Sequence, residues 1–360
     1  MLVHICCSVD CDYFLFRLKQ DYPNDEIIGL FYDPNIHPYS EFLLRYKDTQ
    51  KICKKYDIKL LCGEYDFENW LKGTSGLEFE PEKGKRCSYC FDFRFASTAN
   101  LAKNLGQNLI TTTLLMSPKK EFSQLISSME KICQINELKF IAPDYRKFGG
   151  TNEQMKMARN DRLYHQNYCG CMFGLNLDNR AKMLYELQEP ISKQIQFNSP
   201  KYRLNLYKKV YKFEKKGIKF NLEKYQILNY RLKKAFVRMD GKICDSYFLF
   251  YSLLNRKKSN FILQNLKPKE QIYRHKKDEI VFIDLAKFNE LTSSNYKSVR
   301  EIYFNALKLK KELNLRQKIN SNSYDLGVIV VLDEIKPAKF EVFCDAQIYS
   351  DTIQKISQNI

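Results

Sequence analysis

The sequence predicts an α/β protein in two parts: a mainly parallel sheet with flanking helices over residues 1–175, then a basic α+β domain over residues 176–360. Three observations carry that expectation. Short apolar runs alternate with longer helical periods as far as Gln166, the pattern of βαβ units. The length of 360 residues exceeds the usual size of one domain. Charge is also divided unevenly: residues 1–180 hold 24 Lys and Arg against 23 Asp and Glu, whereas residues 181–360 hold 35 against 19, so the excess of +17 lies almost wholly in the second half.

The elements follow in order. Leu2-Val3-His4-Ile5 is an apolar first strand that ends in Cys6 and Cys7. Ligands and chemistry collect at the carboxyl ends of strands in open α/β sheets, so these thiols are delivered to the functional edge. Residues 12–20 read as a helix with Phe14, Leu15 and Leu18 on one face; 26–32 is a second strand. A helix from Ser40 to Tyr56 spaces Phe42, Tyr46, Thr49 and Cys53 on one side, which places Cys53 in the core. A third strand (58–62) and a short helix (66–72) precede a polar loop, 73–86, that ends at Cys87 and Cys90. That pair opens a helix running to about Leu105, where the positive end of the macrodipole favours thiolate. Strands at 108–115 and 138–142 enclose a helix carrying Phe122, Leu125, Ile126, Met129, Ile132 and Cys133; a last helix, 152–166, is expected to end at Cys169-Gly170-Cys171.

Beyond Gly174 the pattern changes. Residues 201–260 hold 17 Lys and Arg against 4 Asp and Glu, interleaved with Tyr202, Tyr207, Tyr211, Phe213, Phe220, Tyr225 and Tyr230. Basic residues that neutralise phosphates dominate nucleic-acid affinity, so this stretch is expected to hold a polyanion, with a solvated basic surface as the plainer reading. Asp240-Gly241 signals a hairpin between 235–239 and 243–251, Lys297 to Leu313 reads as a helix, and 327–332 and 340–343 read as strands.

With 44% hydrophobic and 28% charged residues the chain can bury a core without disulfide staples, despite its 12 cysteines. Met1 leads straight into the first strand and no apolar run approaches the roughly 18–20 residues of a membrane span, so we expect a cytoplasmic protein with no membrane partner. In that reducing setting paired cysteines bind metal or do redox chemistry. Cys6, Cys7, Cys87 and Cys90 offer four thiolates, the number used by tetrahedral zinc and by an iron–sulfur cluster; adjacent cysteines suit structural zinc poorly, because its ligand pairs leave two to four residues between partners. Cys169 and Cys171, one glycine apart, are either a strained redox-active pair or further ligands. Asp10 is a metal ligand, a proton donor or a helix N-cap. There is no CxxxCxxC run and no GxxxxGK[ST] phosphate loop; Gly149-Gly150 reads as a plain loop, and His4 and His165 as ordinary strand and helix residues.

Taken together, His4-Ile5-Cys6-Cys7 with Asp10, Tyr32-Asp33-Pro34-Asn35-Ile36-His37-Pro38, Arg86-Cys87-Ser88-Tyr89-Cys90, the run Thr111 to Pro118 and Tyr168-Cys169-Gly170-Cys171 resemble the cobalamin-independent epoxyqueuosine reductases of the QueH family, over residues 2–173. The resemblance implies a Rossmann-like (HUP-like) sheet, a [4Fe–4S] cluster on Cys6, Cys7, Cys87 and Cys90, and Cys169 and Cys171 as the redox-active pair. It implies reduction of epoxyqueuosine to queuosine at wobble position 34 of tRNA, with electrons from a donor that no motif specifies. Many relatives read CCAPC or CCAPD where this chain reads CCSVDC; Cys11 is displaced by one residue and Asp10 takes the matching slot, which leaves open whether Asp10 replaces a cysteine or binds an additional mononuclear iron. Two rival readings remain: a zinc-stabilised, non-catalytic tRNA-binding protein, and a tRNA thiolase, the latter weakened by the missing ATP loop.

Overall fold

A computed structural model describes residues 1–175, 187, 196–265, 271–321 and 325–358. It forms two compact units: residues 1–187, 200–222 and 356–360 make the first, residues 188–199 and 223–355 the second. The expected boundary at 175/176 adjoins residues 176–186, which lie outside the described residues.

The first unit is built on five parallel strands in the order β3-β2-β1-β4-β5. The central strand β1 (Leu2–Ile5) is buried along its whole length, because helices cover both faces and a continuous apolar run is then required. It pairs with β2 (Ile28–Phe31) on one side and β4 (Leu109–Thr112) on the other; β3 (Lys59–Cys62) and β5 (Lys139–Phe140) extend the two edges. Successive strands therefore diverge from β1 in opposite directions, and the crevice this opens at the carboxyl ends of β1 and β4 is where such sheets place their sites. His4 is absorbed into the core: Nδ1 lies 2.9 Å from Thr112 Oγ1 and Nε2 3.1 Å from the Tyr32 carbonyl.

Helices α1 (Ser8–Asp21), α2 (Tyr39–Lys55) and α5 (Phe122–Asn136) bury most of the predicted faces, Cys53 among them, and α3 (Phe67–Gly73) and α4 (Lys85–Asn104) form near the expected bounds. Three expectations need correction. The fourth strand stops at Thr112, whose side chain accepts from Leu114 N and turns residues Thr113–Met116 into a 3-10 helix. Helix α6 spans Gly150–Asn160, not 152–166: Arg162 adopts φ 51°, Leu163 N bonds back to Ala158 O, and Tyr164 N reaches the Asp48 carboxylate at 2.8 Å, so residues 161–171 run as a loop. Third, α7 (Pro200–Lys215) belongs to the first unit, where Leu204, Leu206 and Tyr207 pack with Leu44 and Tyr164. The basic, aromatic stretch is thus shared between the units. Tyr207 and Phe220 are buried, and so is Tyr230, so these rings pack the fold and offer no face to a ligand.

The second unit contains a mixed sheet, β10-β11-β12-β8, and an antiparallel sheet, β7-β6-β13-β9. Their strands are β6 (Asn221–Met239), β7 (Lys242–Cys244), β8 (Ser246–Phe248), β9 (Lys258–Leu263), β10 (Ile272–His275), β11 (Ile280–Asp284), β12 (Val328–Leu332) and β13 (Ala338–Ser357). The hairpin between β6 and β7 turns at Asp240 and Gly241, both left-handed (φ 48° and 81°), as the Asp-Gly signal requires. Helix α8 (Leu285–Thr292) is followed by α9 (Val299–Phe304) and α10 (Leu309–Asn320) where one helix over 297–313 was expected; the chain leaves the helix at Asn305 and buries Leu307 in the break. Among the described residues no helix is long and apolar enough to cross a membrane.

Candidate metal centre and thiol pair

Strand β1 ends where its cysteines begin. Cys6 Sγ lies 3.7 Å from Cys7 Sγ and 3.7 Å from Asp10 Oδ2, and the three donor atoms lie within 4.8 Å of one another. The geometry follows from the turn into α1: Cys7 occupies the N-cap position, and Asp10, in the first helical turn, comes back over Cys6. Asp10 is therefore not the N-cap. Burial pushes its carboxyl up to about 6, against hydrogen bonds from Cys7, from Gln154 and from Cys6; Gln154 Nε2 holds Oδ1 at 2.7 Å. Cys11 points into the core beside Cys53, so of the two residues competing for the family's third position, Asp10 faces the site.

The second pair sits at the start of α4. Cys87 and Cys90, three residues apart, share one helix face, and Lys83 N lies 3.2 Å from Cys87 Sγ. Arg86 fixes the preceding loop by donating to the carbonyls of Leu77, Glu78 and Glu80 at 3.0, 3.0 and 2.5 Å. Burial raises the Cys90 thiol, with Arg94 opposing it.

The third pair lies on the loop that replaces the end of the expected helix. Gly170 takes φ 105°, and a Cβ there would come within 2.7 Å of Ile36, so only glycine fits between the two thiols. Arg45 clamps the loop, with Nη1 on the Cys169 carbonyl (3.1 Å) and Nη2 on that of Tyr168 (3.0 Å), while Nε pairs with Glu41 at 2.9 Å. Gly170 O accepts from His37 N at 2.9 Å. Both cysteines are free thiols and are strongly polarised. A hydrogen bond from Cys171, with Lys120 and Arg45 nearby, holds Cys169 well below the usual thiol range; the same bond, and burial, push Cys171 far up. The asymmetry favours the thiolate on Cys169 and keeps the proton on Cys171.

Members of all three pairs meet. A cavity of about 140 Å³ is lined by Cys6, Asp10, Cys87, Cys90, Cys169 and Cys171, with room for more than one group the size of a water, at roughly 30 Å³ each. Cys7 does not line it; its Sγ lies 3.0 Å from Gln166 Nε2. Sequence reasoning missed the remaining wall: Arg45, Asp33 paired with Arg94, Asn35, Lys120, Gln166 and, at the mouth, His165. Asp33 and Asn35 stand inside a quoted motif and could have been singled out; Arg45 and Lys120 have no local signature. Burial works against the charge of Lys120, but the thiols of Cys169, Cys87 and Cys90 outweigh it and raise its pKa. Asn35 Oδ1 and Asp33 Oδ2 are buried with no partner among the described residues, so this wall is not satisfied by the protein alone.

A parallel α/β unit with a buried Cys–Cys–Asp group whose donor atoms could hold a metal, and a second thiol pair on the cavity that Cys6 and Asp10 line, defines the class as an α/β protein with a thiol-rich candidate site. The family model described as epoxyqueuosine reductase QueH matches residues 1–177. An epoxyqueuosine reductase QueH of Helicobacter pylori is 35% identical over 349 residues, covering 93% of this chain and 94% of that one. A relative of the same name from Thermotoga maritima is 31% identical over 185 residues, 51% of this chain but 93% of its own length; that from Haemophilus influenzae is 31% identical over 181 residues, 50% and 73%. The chain belongs to the epoxyqueuosine reductase QueH family. The likeness to the Helicobacter relative runs through the second half as well, beyond the end near Gly174 that the motifs alone mark. A solved structure, the U34-tRNA thiolase NcsA from Methanococcus maripaludis with its [4Fe–4S] cluster, matches with a TM-score of 0.32 and 15% identity over 59% of this chain and 73% of that one.

Proposed function

We propose that this chain reduces the epoxide of epoxyqueuosine at the wobble position of tRNA to the alkene of queuosine, using an iron–sulfur cluster held by Cys6, Cys7, Cys87 and Cys90. The observation that carries the reading is the meeting of five cysteines, drawn from all three pairs, and Asp10 on one cavity, in a chain of this family. The donor set suits the group: soft thiolates select iron–sulfur clusters, and Asp10 adds one hard oxygen, the ligand an additional mononuclear iron would take beside Cys6 and Cys7. When bound, the cluster would pass electrons one at a time and supply Lewis acidity.

The residues account for the rest. Reduction of the epoxide takes two electrons and two protons and releases water. Oxidation of Cys169 and Cys171 to a disulfide yields two electrons and two protons, so dithiol and epoxide balance to disulfide, alkene and water. Asp10, titrating near 6 and held by Gln154, carries a proton within the cavity at the oxygen that leaves. An external donor must restore the dithiol. Residues 176–360, with the larger share of the positive charge, hold the body of the tRNA through its phosphates.

The test is anaerobic purification with iron, zinc and sulfide analysis, coupled to mass spectrometry of nucleosides from tRNA incubated with the protein and a chemical reductant. A brown, iron- and sulfide-containing protein that converts epoxyqueuosine to queuosine is the expected result. A colourless protein with stoichiometric zinc and no conversion would leave a structural RNA-binding role, and sulfur incorporation into the tRNA a thiolase.

A further inference from the structure

Phe148 is fully exposed, at 105% of its reference area, and has φ 53°, a left-handed conformation that a bulky side chain adopts at a cost. Nothing in the fold recovers that cost. The loop around it is nonetheless rigid. Gly150 N bonds to Lys147 O at 3.0 Å, and a Cβ on Gly150 would fall 1.8 Å from the Tyr145 carbonyl, so the backbone is pressed together on either side of the ring. Arg146 anchors the loop to the wall of the cavity: Nη1 donates to the carbonyls of Ser117 and Lys120, 3.3 Å each, and the guanidinium lies 4.9 Å from the Phe122 ring centroid. Ser117, Lys119 and Lys120 line the cavity. So does Met155, five residues into α6 and only about 7.5 Å along its axis from Gly150. The loop that carries the ring is therefore tied to segments that line the cavity. Lys119 is exposed and makes no ion pair among the described residues, and the Lys147 side chain, 67% exposed, stands 3.8 Å from Asp144.

We propose that Phe148 is a stacking platform for an unpaired base of the anticodon loop, flanking the nucleoside that enters the cavity, with Lys119 and Lys147 on the adjoining phosphates. This rests on the reading of the substrate given above. A rigid, solvated aromatic ring between cations is what single-stranded RNA recognition uses, because every base offers a π-face and every linkage a charge. Position argues the same way: a nucleoside whose reacting carbons lie in the cavity must leave its neighbours at the mouth. The family model, which matches residues 1–177, points there too, since contacts common to the family lie in this half.

The experiment is binding of a fluorescent anticodon stem-loop RNA, with and without epoxyqueuosine, to the full-length chain. Phe148→Ala should weaken binding about 5- to 150-fold, the worth of one stacked base, whereas Phe148→Trp should retain it and Phe148→Leu should behave like Ala. Replacing Lys119 and Lys147 together by Ala should flatten the slope of log affinity against log salt by roughly 0.7 per phosphate contact. In turnover the loss from Phe148→Ala should fall on KM for tRNA more than on kcat. Wild-type affinity in Phe148→Ala, or full function in Phe148→Leu, would overturn the assignment. So would an effect confined to KM for a protein electron donor, which would make the ring a protein contact. If the wild-type chain reduces no epoxide yet binds the RNA in a Phe148-dependent way, the reduction falls and the stacking contact stands.

Discussion

Both units bury charged and polar side chains, but they dispose of them differently. In the second unit Arg316 is fully buried and its hydrogen bonds among the described residues end on the fold itself: the carbonyls of Phe250, Asp325 and Gly327 at 2.9, 3.0 and 2.7 Å, and Ser252 Oγ at 3.1 Å. Glu312, one turn away, accepts from Tyr247 Oη at 2.5 Å and Phe250 N at 2.9 Å. That network is closed. In the first unit Asp10, Asp33, Asn35 and five cysteines are turned toward a cavity, and the oxygens Asp33 Oδ2 and Asn35 Oδ1 find no partner among the described residues. A buried polar group left unsatisfied costs about 1–3 kcal/mol, more when charged. A closed network specifies structure; an open one is tolerable where a bound group completes it.

The sharpest way to break this contrast is to remove one side of the open network. Cys87→Ala should abolish both the iron–sulfur chromophore and turnover, read by anaerobic absorbance and by nucleoside analysis; a normal spectrum would take this cysteine out of the ligand set. Cys169→Ala should keep most of the chromophore and lose multiple-turnover reduction, and full activity would sink the redox-pair role. The closed network predicts the reverse behaviour. Arg316→Met should lower stability by about 3–5 kcal/mol in urea unfolding, because buried partners lose their donor, while iron per folded chain stays unchanged. A loss of iron would mean that the two networks are coupled. Arg45→Lys tests the clamp between them in kind, a closed set of bonds serving an open site. Lysine cannot reproduce the fork on two carbonyls, so kcat should fall about 10- to 100-fold, the scale of a positioning group, with the cluster spectrum retained.

The smallest expected effect concerns the basic surface of the second unit. Lys233 and Lys234 are exposed on β6, but Arg231 is buried and unavailable to a phosphate. Replacing the two lysines by Ala should raise KM for tRNA a few-fold and lower the salt slope by roughly one unit or a little more. An unchanged slope would remove this strand from the RNA.

Much of the first unit was legible because its signals are local. Strand β1 is a continuous apolar run, α1, α2 and α5 bury the faces their periodicity marks, and Cys6/Cys7 and Cys87/Cys90 stand at the end of β1 and the start of α4. The ends of α6 and of β4 were not legible. Tyr164 N is drawn to Asp48, 116 residues away in sequence, and a bond of that span leaves no trace in the periodicity of either segment. The same holds for aromatic residues in the basic stretch: Tyr207 and Tyr230 look alike in sequence to rings that bind RNA, and only packing shows that they are core.

By itself the sequence determined the order of strands and helices in the first half, the thiol inventory and the family, since each is written in spacing along the chain. Only the tertiary structure decided which donors share a cavity. Asp10 faces it and Cys11 does not, although they are neighbours, because successive residues of a helix point about 100° apart and the packing of α1 on the sheet selects one direction. It likewise brought Arg45 from α2 and Lys120 from the 117–120 loop to Cys169, where their charges favour one thiolate of an otherwise symmetric pair.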